Sequence, residues 1–248
     1  MNNGIYAAST GLMARTQELD VAANNLANAN TTGFRGGRVS FHTQLMTASS
    51  NPGTKAVSSF GVLGAPRTDF SQGSLEQTGN PLDLALEGPG FFAVQAPTGV
   101  QYTRNGSFHL SSTGQLVTQE GYSVLGSDGA ITMPQGTAEI STSGVISSDG
   151  AVAGQIKLVQ FDSSVPLTSL GQGYFSAPQA AATDAGTDLG VRQGALENSN
   201  INPVASAVGL IEIQRNAEML QRAKDNEYAF PAINCVGSEA SNSNWPGW

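Results

Sequence analysis

Cysteine is nearly absent: one residue, Cys235, stands in 248. An intrachain disulfide is therefore excluded, and the sequence carries no mark of its redox compartment. Charge is scarce too. Asp, Glu, Lys and Arg together make 12% of the chain, about half the usual share. The eleven Lys and Arg residues never cluster, and the formal net charge is −8. Nothing here can displace counterions along a phosphate backbone, so nucleic acid is excluded as a partner. No apolar run approaches the roughly 18–20 residues needed to span a bilayer, so direct membrane insertion is not expected. Residues 1–20 lack a basic stretch followed by an apolar one, and no cleaved secretory signal is expected.

Catalytic chemistry is equally thin. His42 and His109 have no neighbours at ligand spacing, and a metal site needs three or four converging ligands. Cys235 has no partner histidine to act as base. In "LALEGPGFFAV", residues 84–94, Gly88, Gly90 and Ala93 fit G-x-G-x-x-A. A phosphate site requires a helix to open at those glycines. The Phe91-Phe92-Ala93-Val94 run continues as strand instead, so a β-turn is expected. Asp83 and Glu87, four apart in a strand, lie about 13 Å from each other along one face, too far for shared acid–base work. No enzyme, cofactor, metal or small-molecule substrate is expected.

What is plentiful is glycine, 30 residues, together with neutral polar side chains. Turn signals recur about every 8–12 residues from position 66 to 195 between short runs rich in β-branched and aromatic residues, the pattern of an all-β domain. Asn105-Gly106, Asp128-Gly129 and Asp149-Gly150 are expected hairpin turns. Residues 43–65, rich in Ser, Gly and Ala, read as an extended linker. The aromatic residues look scattered.

Both ends have helical texture. Ile5, Leu12, Leu19 and Leu26 fall seven apart, and Ala8, Ala22 and Ala29 follow three of them by three. This is a and d spacing, interrupted once by Arg15. The spacing predicts a helix over 3–30 that stops at Gly33. At the other end, Asn202-Pro203 is a favoured start, and Val204, Val208 and Ile211 form a line on a helix to about 224. A lone amphipathic helix is marginal in water. Burying four Leu or Ile side chains would contribute roughly 6–12 kcal/mol, so each helix needs a partner. The expected domains are 1–42 (helix and turn), 43–65 (linker), 66–195 (β-rich), 196–224 (helix) and 225–248 (irregular tail). The fold class is mainly β, with terminal helices pairing in coiled-coil fashion around an inserted all-β domain.

Four asparagines lie in residues 23–30, "ANNLANAN". Asn24, Asn25 and Asn28 flank Leu26 at three- and four-residue spacing. A buried orphan amide costs about 1–3 kcal/mol, so such amides beside a seam are expected to set register, as a single Asn does in coiled coils. Fraying at a helix end is the alternative reading.

The segment "LDVAANNLANANTTGFR" resembles the N-terminal signature of the flagellar rod and hook axial proteins. The resemblance continues in "GNPLDLALEGPGFFAV", "YTRNGSFHLSSTGQLVTQEGYSVLG" and "GALENSNINPVASAVGLIEIQRNAEML". It covers residues 1–223 and is greatest to the proximal-rod member, with the distal-rod member and hook-type proteins next. It implies a basal-body rod subunit whose paired terminal helices form the inner wall of a tube. It also implies a β-domain outside that wall, a place in the periplasmic space, and export by the flagellar type III apparatus. The partners implied are copies of the chain and other rod proteins. The expected subunit interface is Ile5, Leu12, Leu19, Asn24, Asn25, Leu26, Asn28, Val204, Val208 and Ile211, with Gly33 and Phe34 turning the chain. Residues beyond Asp225 depart from the family pattern. A periplasmic or surface β-domain that binds a ligand is the competing class.

Overall fold

The computed structural model describes residues 3–39, 41–47, 57–63, 66–133, 136–162, 164–178, 182–184 and 189–225. The tail expected at 225–248 lies outside them after Asp225, and so does Cys235. The fold is mainly β with two helices, α1 over Asn3–Ala27 and α2 over Pro203–Asp225. Neither helix is long and apolar enough to cross a membrane. Two compact units emerge: residues 1–23, 38–67 and 207–248 in one, 24–37 and 68–206 in the other.

The first unit holds most of both helices and an antiparallel pair, Phe41–Thr47 with Val57–Leu63, in register from Phe41↔Leu63 to Thr47↔Val57. The linker expected over 43–65 is thus replaced along much of its length by paired strand. Its Ser and Gly content hides β-branched and aromatic residues at Val57, Phe60 and Val62, which favour a pleated strand. The side chains of 3–10 and of this pair, Ile5 and His42 included, lie outside what the structure describes.

The second unit is an antiparallel β body. Strand Phe91–Ala96 lies at its centre, paired with Gly99–Thr103, Ser123–Gly126 and Leu158–Gln160. Phe92 and Val94 enter one apolar cluster with Leu84, Phe108 and Ile146, while Phe91 and Ala93 enter a second with Tyr102 and Phe175. A strand buried on both faces reads as a continuous apolar run rather than an alternating one, which is why "FFAV" shows no period. The aromatic residues converge instead of scattering. Phe91 meets Phe70, Phe161 and Phe175 edge to face with centroids 5.7–5.8 Å apart, and Phe92 meets Phe108 at 5.2 Å. A separate three-stranded sheet joins Ala138–Ile140, Val145–Ser148 and Ala151–Gln155.

The turns follow local chemistry unevenly. Asp149 (φ 49°) and Gly150 (φ 83°) form the two-residue loop between Ser148 and Ala151, as a type I′ turn requires. At Asp128-Gly129 the loop is Ser127-Asp128, since Gly126 pairs with Gly129. Asn105-Gly106 makes no hairpin: a Cβ on Gly106 would overlap the Leu84 carbonyl, which sits directly over it. That glycine serves close backbone approach rather than reversal.

Phe92 is fully buried in the larger cluster, so Phe92→Ala should lower stability by about 3–5 kcal/mol. Urea unfolding should show a reduced midpoint at an unchanged slope.

Candidate assembly site at the helix roots

Helix α1 ends at Ala27, three residues earlier than its apolar spacing suggests, because the asparagines take over the backbone. The Asn28 amide donates to the Asn24 carbonyl at 2.9 Å, and the Asn28 backbone N–H donates to the same oxygen at 3.1 Å. Thr31 Oγ1 donates to Asn28 Oδ1 at 3.2 Å. Short polar side chains that satisfy local backbone groups in this way favour helix ends over interiors. Asn25 acts at longer range. Its Nδ2 donates to the Gly37 carbonyl and its Oδ1 accepts from the Gly37 N–H, both at 2.8 Å, so one amide holds both polar groups of one residue. Asn24 is exposed, and Leu12, Leu19 and Leu26 are half-buried.

Gly33 does not end the helix but has the left-handed backbone expected of it, φ 69°. The Phe34 N–H donates to the Thr31 carbonyl, placing Gly33 third in a four-residue turn, where positive φ favours glycine. A Cβ on Gly33 would stand 2.5 Å from the Asn105 backbone nitrogen, so the turn also packs directly against the end of strand Gly99–Thr103.

The centre of this region is Glu197, at the end of strand Ala195–Glu197. Its side chain is wholly buried. Oε1 accepts from Arg35 Nη2 at 2.6 Å and from the Gly73 N–H at 2.9 Å. Oε2 accepts from Arg104 Nη1 at 3.3 Å. Arg104 also donates to the Gly88 carbonyl at 2.8 Å and lies 5.3 Å over the Phe91 ring. The Arg35 side chain is fully enclosed as well. Two cations against one anion leave the cluster with a formal +1. Burial pushes Arg104 down to about 10, against the opposing pull of Glu197, so it stays cationic at neutral pH. The Nε and Nη1 atoms of Arg35 and the Nε of Arg104 have no hydrogen-bond partner among the described residues.

Backbone contacts complete the join. The Gly33 N–H donates to the Glu197 carbonyl at 2.7 Å, and the Asp69 N–H to the Gly36 carbonyl at 2.7 Å. Asn200 accepts from the Gly36 N–H at 2.9 Å and donates to the Asp69 carbonyl at 2.8 Å. Two residues later Asn202 caps α2, its Oδ1 accepting from the Val204 and Ala205 N–H groups at 3.0 and 3.1 Å. This is the expected Asn-Pro start.

Sequence reasoning missed Glu197, Arg35, Arg104 and Asn200. Arg35 and Glu197 stand 162 positions apart. The one usable signal was strand period: Ala195 and Glu197 share a face, and Ala195 is buried.

The Gly88–Gly90 loop serves the join. The chain bends at 88–90 between strands Leu84–Glu87 and Phe91–Ala96, with no helix opening. It supplies the carbonyl that holds Arg104. Asp83 is buried and accepts from Thr78 Oγ1 at 2.7 Å and from Asn80 Nδ2 at 3.1 Å, while Glu87 pairs with Arg192 on the surface. His109 is exposed.

Three family descriptions match along the chain. Residues 5–35 match "Flagella basal body rod protein", 85–154 "Flagellar hook protein FlgE/F/G D1 domain" and 192–226 "Flagellar basal body rod FlgEFG protein C-terminal". The flagellar basal-body rod protein FlgF of Caulobacter vibrioides is 37% identical over 243 residues, covering 96% of this chain and 99% of its own. The chain belongs to the flagellar basal-body rod proteins. FlgF of Mesorhizobium japonicum is 34% identical over 249 residues, with 97% and 100% coverage. FlgG of Buchnera aphidicola subsp. Schizaphis graminum is 32% identical over 239 residues, with 87% and 92%. The protein is therefore a structural rod subunit, and its site is a join between segments rather than a pocket. The first and third matched stretches contain Arg35 and Glu197, the two ends of the buried ion pair.

Removing one partner of such a pair leaves uncompensated buried charge. Glu197→Ala should cost about 3–5 kcal/mol in urea unfolding. A double-mutant cycle with Arg35→Ala should give losses well short of additive.

Proposed function

We propose that the chain is an FlgF-type rod subunit in the proximal rod, and that it works by self-association through α1 and α2, without catalysis. The FlgF type is supported by similarity: the two FlgF relatives above are 37% and 34% identical over alignments covering 96% and 97% of this chain, against 32% over 87% for the FlgG relative. The proximal position is the one the sequence resemblance implies.

The observation that carries the mechanism is the line along α2. Val204, Val208 and Ile211 are 73%, 54% and 63% exposed, at the i, i+4, i+7 spacing of one stripe. Covering such side chains contributes about 1.5–3 kcal/mol each. In the lattice, α1 and α2 pair in coiled-coil fashion and meet the helices of neighbouring copies and of other rod proteins. Ile5, Leu12, Leu19 and Leu26 supply the α1 side of that seam. Asn24 and Asn28 set register along it, while Asn25 fixes the root of the helix through Gly37. Low surface charge lets copies approach closely. The chain reaches the periplasmic space through the flagellar type III apparatus.

The variants Val208→Asp and Ile211→Asp place charge on this stripe without touching the β core. The purified proteins should melt within roughly 2 °C of the parent, yet cells carrying only the variant should fail to swim and should yield basal bodies lacking the subunit. Normal swimming with full incorporation would overturn the proposal.

A further inference from the structure

The segment that follows α1 is fastened to the β body almost entirely by polar contacts. Across residues 24–37 the buried apolar side chain is Ala29, 8% exposed, and Leu26 and Phe34 are only half-buried. Its attachments are instead the Gly33 N–H on the Glu197 carbonyl, Arg35 on the Glu197 carboxylate, the Gly36 N–H on Asn200, and the Gly36 carbonyl under the Asp69 N–H. The neighbouring stretch 69–73 is held in the same manner, by Asn200, Glu197 and Gln72, whose amide donates to the Leu86 carbonyl at 2.7 Å. Its one large apolar side chain, Phe70, lies against Phe91 and Phe175 but stays 38% exposed.

The β body is stabilised differently. Phe92, Val94, Leu116, Val124 and Ile146 have at most trace exposure and form one continuous cluster. Regions with few buried apolar contacts open at lower free energy than the core, in cooperative units. Two further features weaken the polar attachment. Its ion cluster carries a net buried charge, and three guanidinium nitrogens there lack a partner among the described residues, each of which costs desolvation without return. The close approaches also depend on glycine: a Cβ on Gly36 would strike the Ile201 side chain, and one on Gly73 the Asn198 carbonyl.

We propose that residues 24–37, with 69–73, form a clasp that opens as a unit while the β body stays folded. The root of α1 is then a docked segment rather than part of the β core. The chain can release and re-dock that root against 197–201 without global unfolding. This follows from the packing alone and does not depend on the place of the subunit in the rod.

Native-state amide exchange on the full-length protein tests it, under conditions where rates report opening equilibria. The clasp is reported by the amides of Gly33 and Gly36, and the core by those of Leu116 and Ile156, bonded to the Ile131 and Gly144 carbonyls. Clasp amides should exchange at least tenfold faster than core amides and respond little to low urea. A core cavity discriminates the two models, because interactions around Ile146 survive when the clasp opens. Ile146→Ala should speed Leu116 and Ile156 by roughly thirtyfold or more and leave Gly33 and Gly36 within about twofold. Should that variant not fold, Ile146→Val serves, with a severalfold effect on the core amides. Asn200→Ala should speed the clasp amides about tenfold. If Ile146 substitutions accelerate Gly33 and Gly36 as much as Leu116, clasp and core are one cooperative unit and the proposal fails.

Discussion

A single carboxylate, Glu197, with no exposure to water, holds two arginines and a backbone N–H at once. Its partners come from position 35, just beyond α1, from 73, and from 104 in the β body; Glu197 itself stands six residues before α2. An ion pair of this kind contributes little net stability compared with well-packed apolar side chains, but breaking it is costly. Its value here is geometric. The arrangement is satisfied only when the chain leaving α1 and the chain entering α2 lie side by side on the β body. The glycines at 33, 36 and 73 follow from it, since each lets a backbone approach that a Cβ would block.

The helices that begin at these roots are the opposite case. On α2, Val204, Val208 and Ile211 face water in the isolated chain. A helix with an uncovered stripe draws its stability from whatever packs on it. The molecule thus combines a β body with its own apolar clusters, a polar join that fixes where the helices start, and an apolar line left exposed on α2. The rarity of charge belongs to the same design. With charged side chains making only 12% of the chain, few charges need to lose their water where surfaces meet.

Much of this was legible in the sequence, for identifiable reasons. The termini announce themselves by heptad spacing from Ile5 to Leu26 and by the Asn202-Pro203 start, because helix signals are local. Asp149-Gly150 was readable because a two-residue loop with both φ positive needs those residues. The pair Phe41–Thr47 and Val57–Leu63 escaped notice because small polar residues dilute its β-formers. Asn105-Gly106 misled, since glycine serves close approach as readily as reversal. Of the Glu197 cluster only the shared face of Ala195 and Glu197 was legible: no local rule links Arg35 to a carboxylate 162 positions away. The asparagines were half readable. Their spacing flagged the end of α1, but the bonds of Asn25 to Gly37 and of Asn28 to Asn24 lie within the chain, where the sequence suggested bonds to neighbours.

The account rests on the uncovered stripe of α2 being an assembly surface, and photo-crosslinking in intact basal bodies tests that most directly. A photoreactive residue in place of Val208 should link the chain to adjacent rod subunits in high yield. The same probe at exposed Val152, on the β body, should serve as the comparison and give less. Efficient linking at 152 with none at 208 would contradict the account.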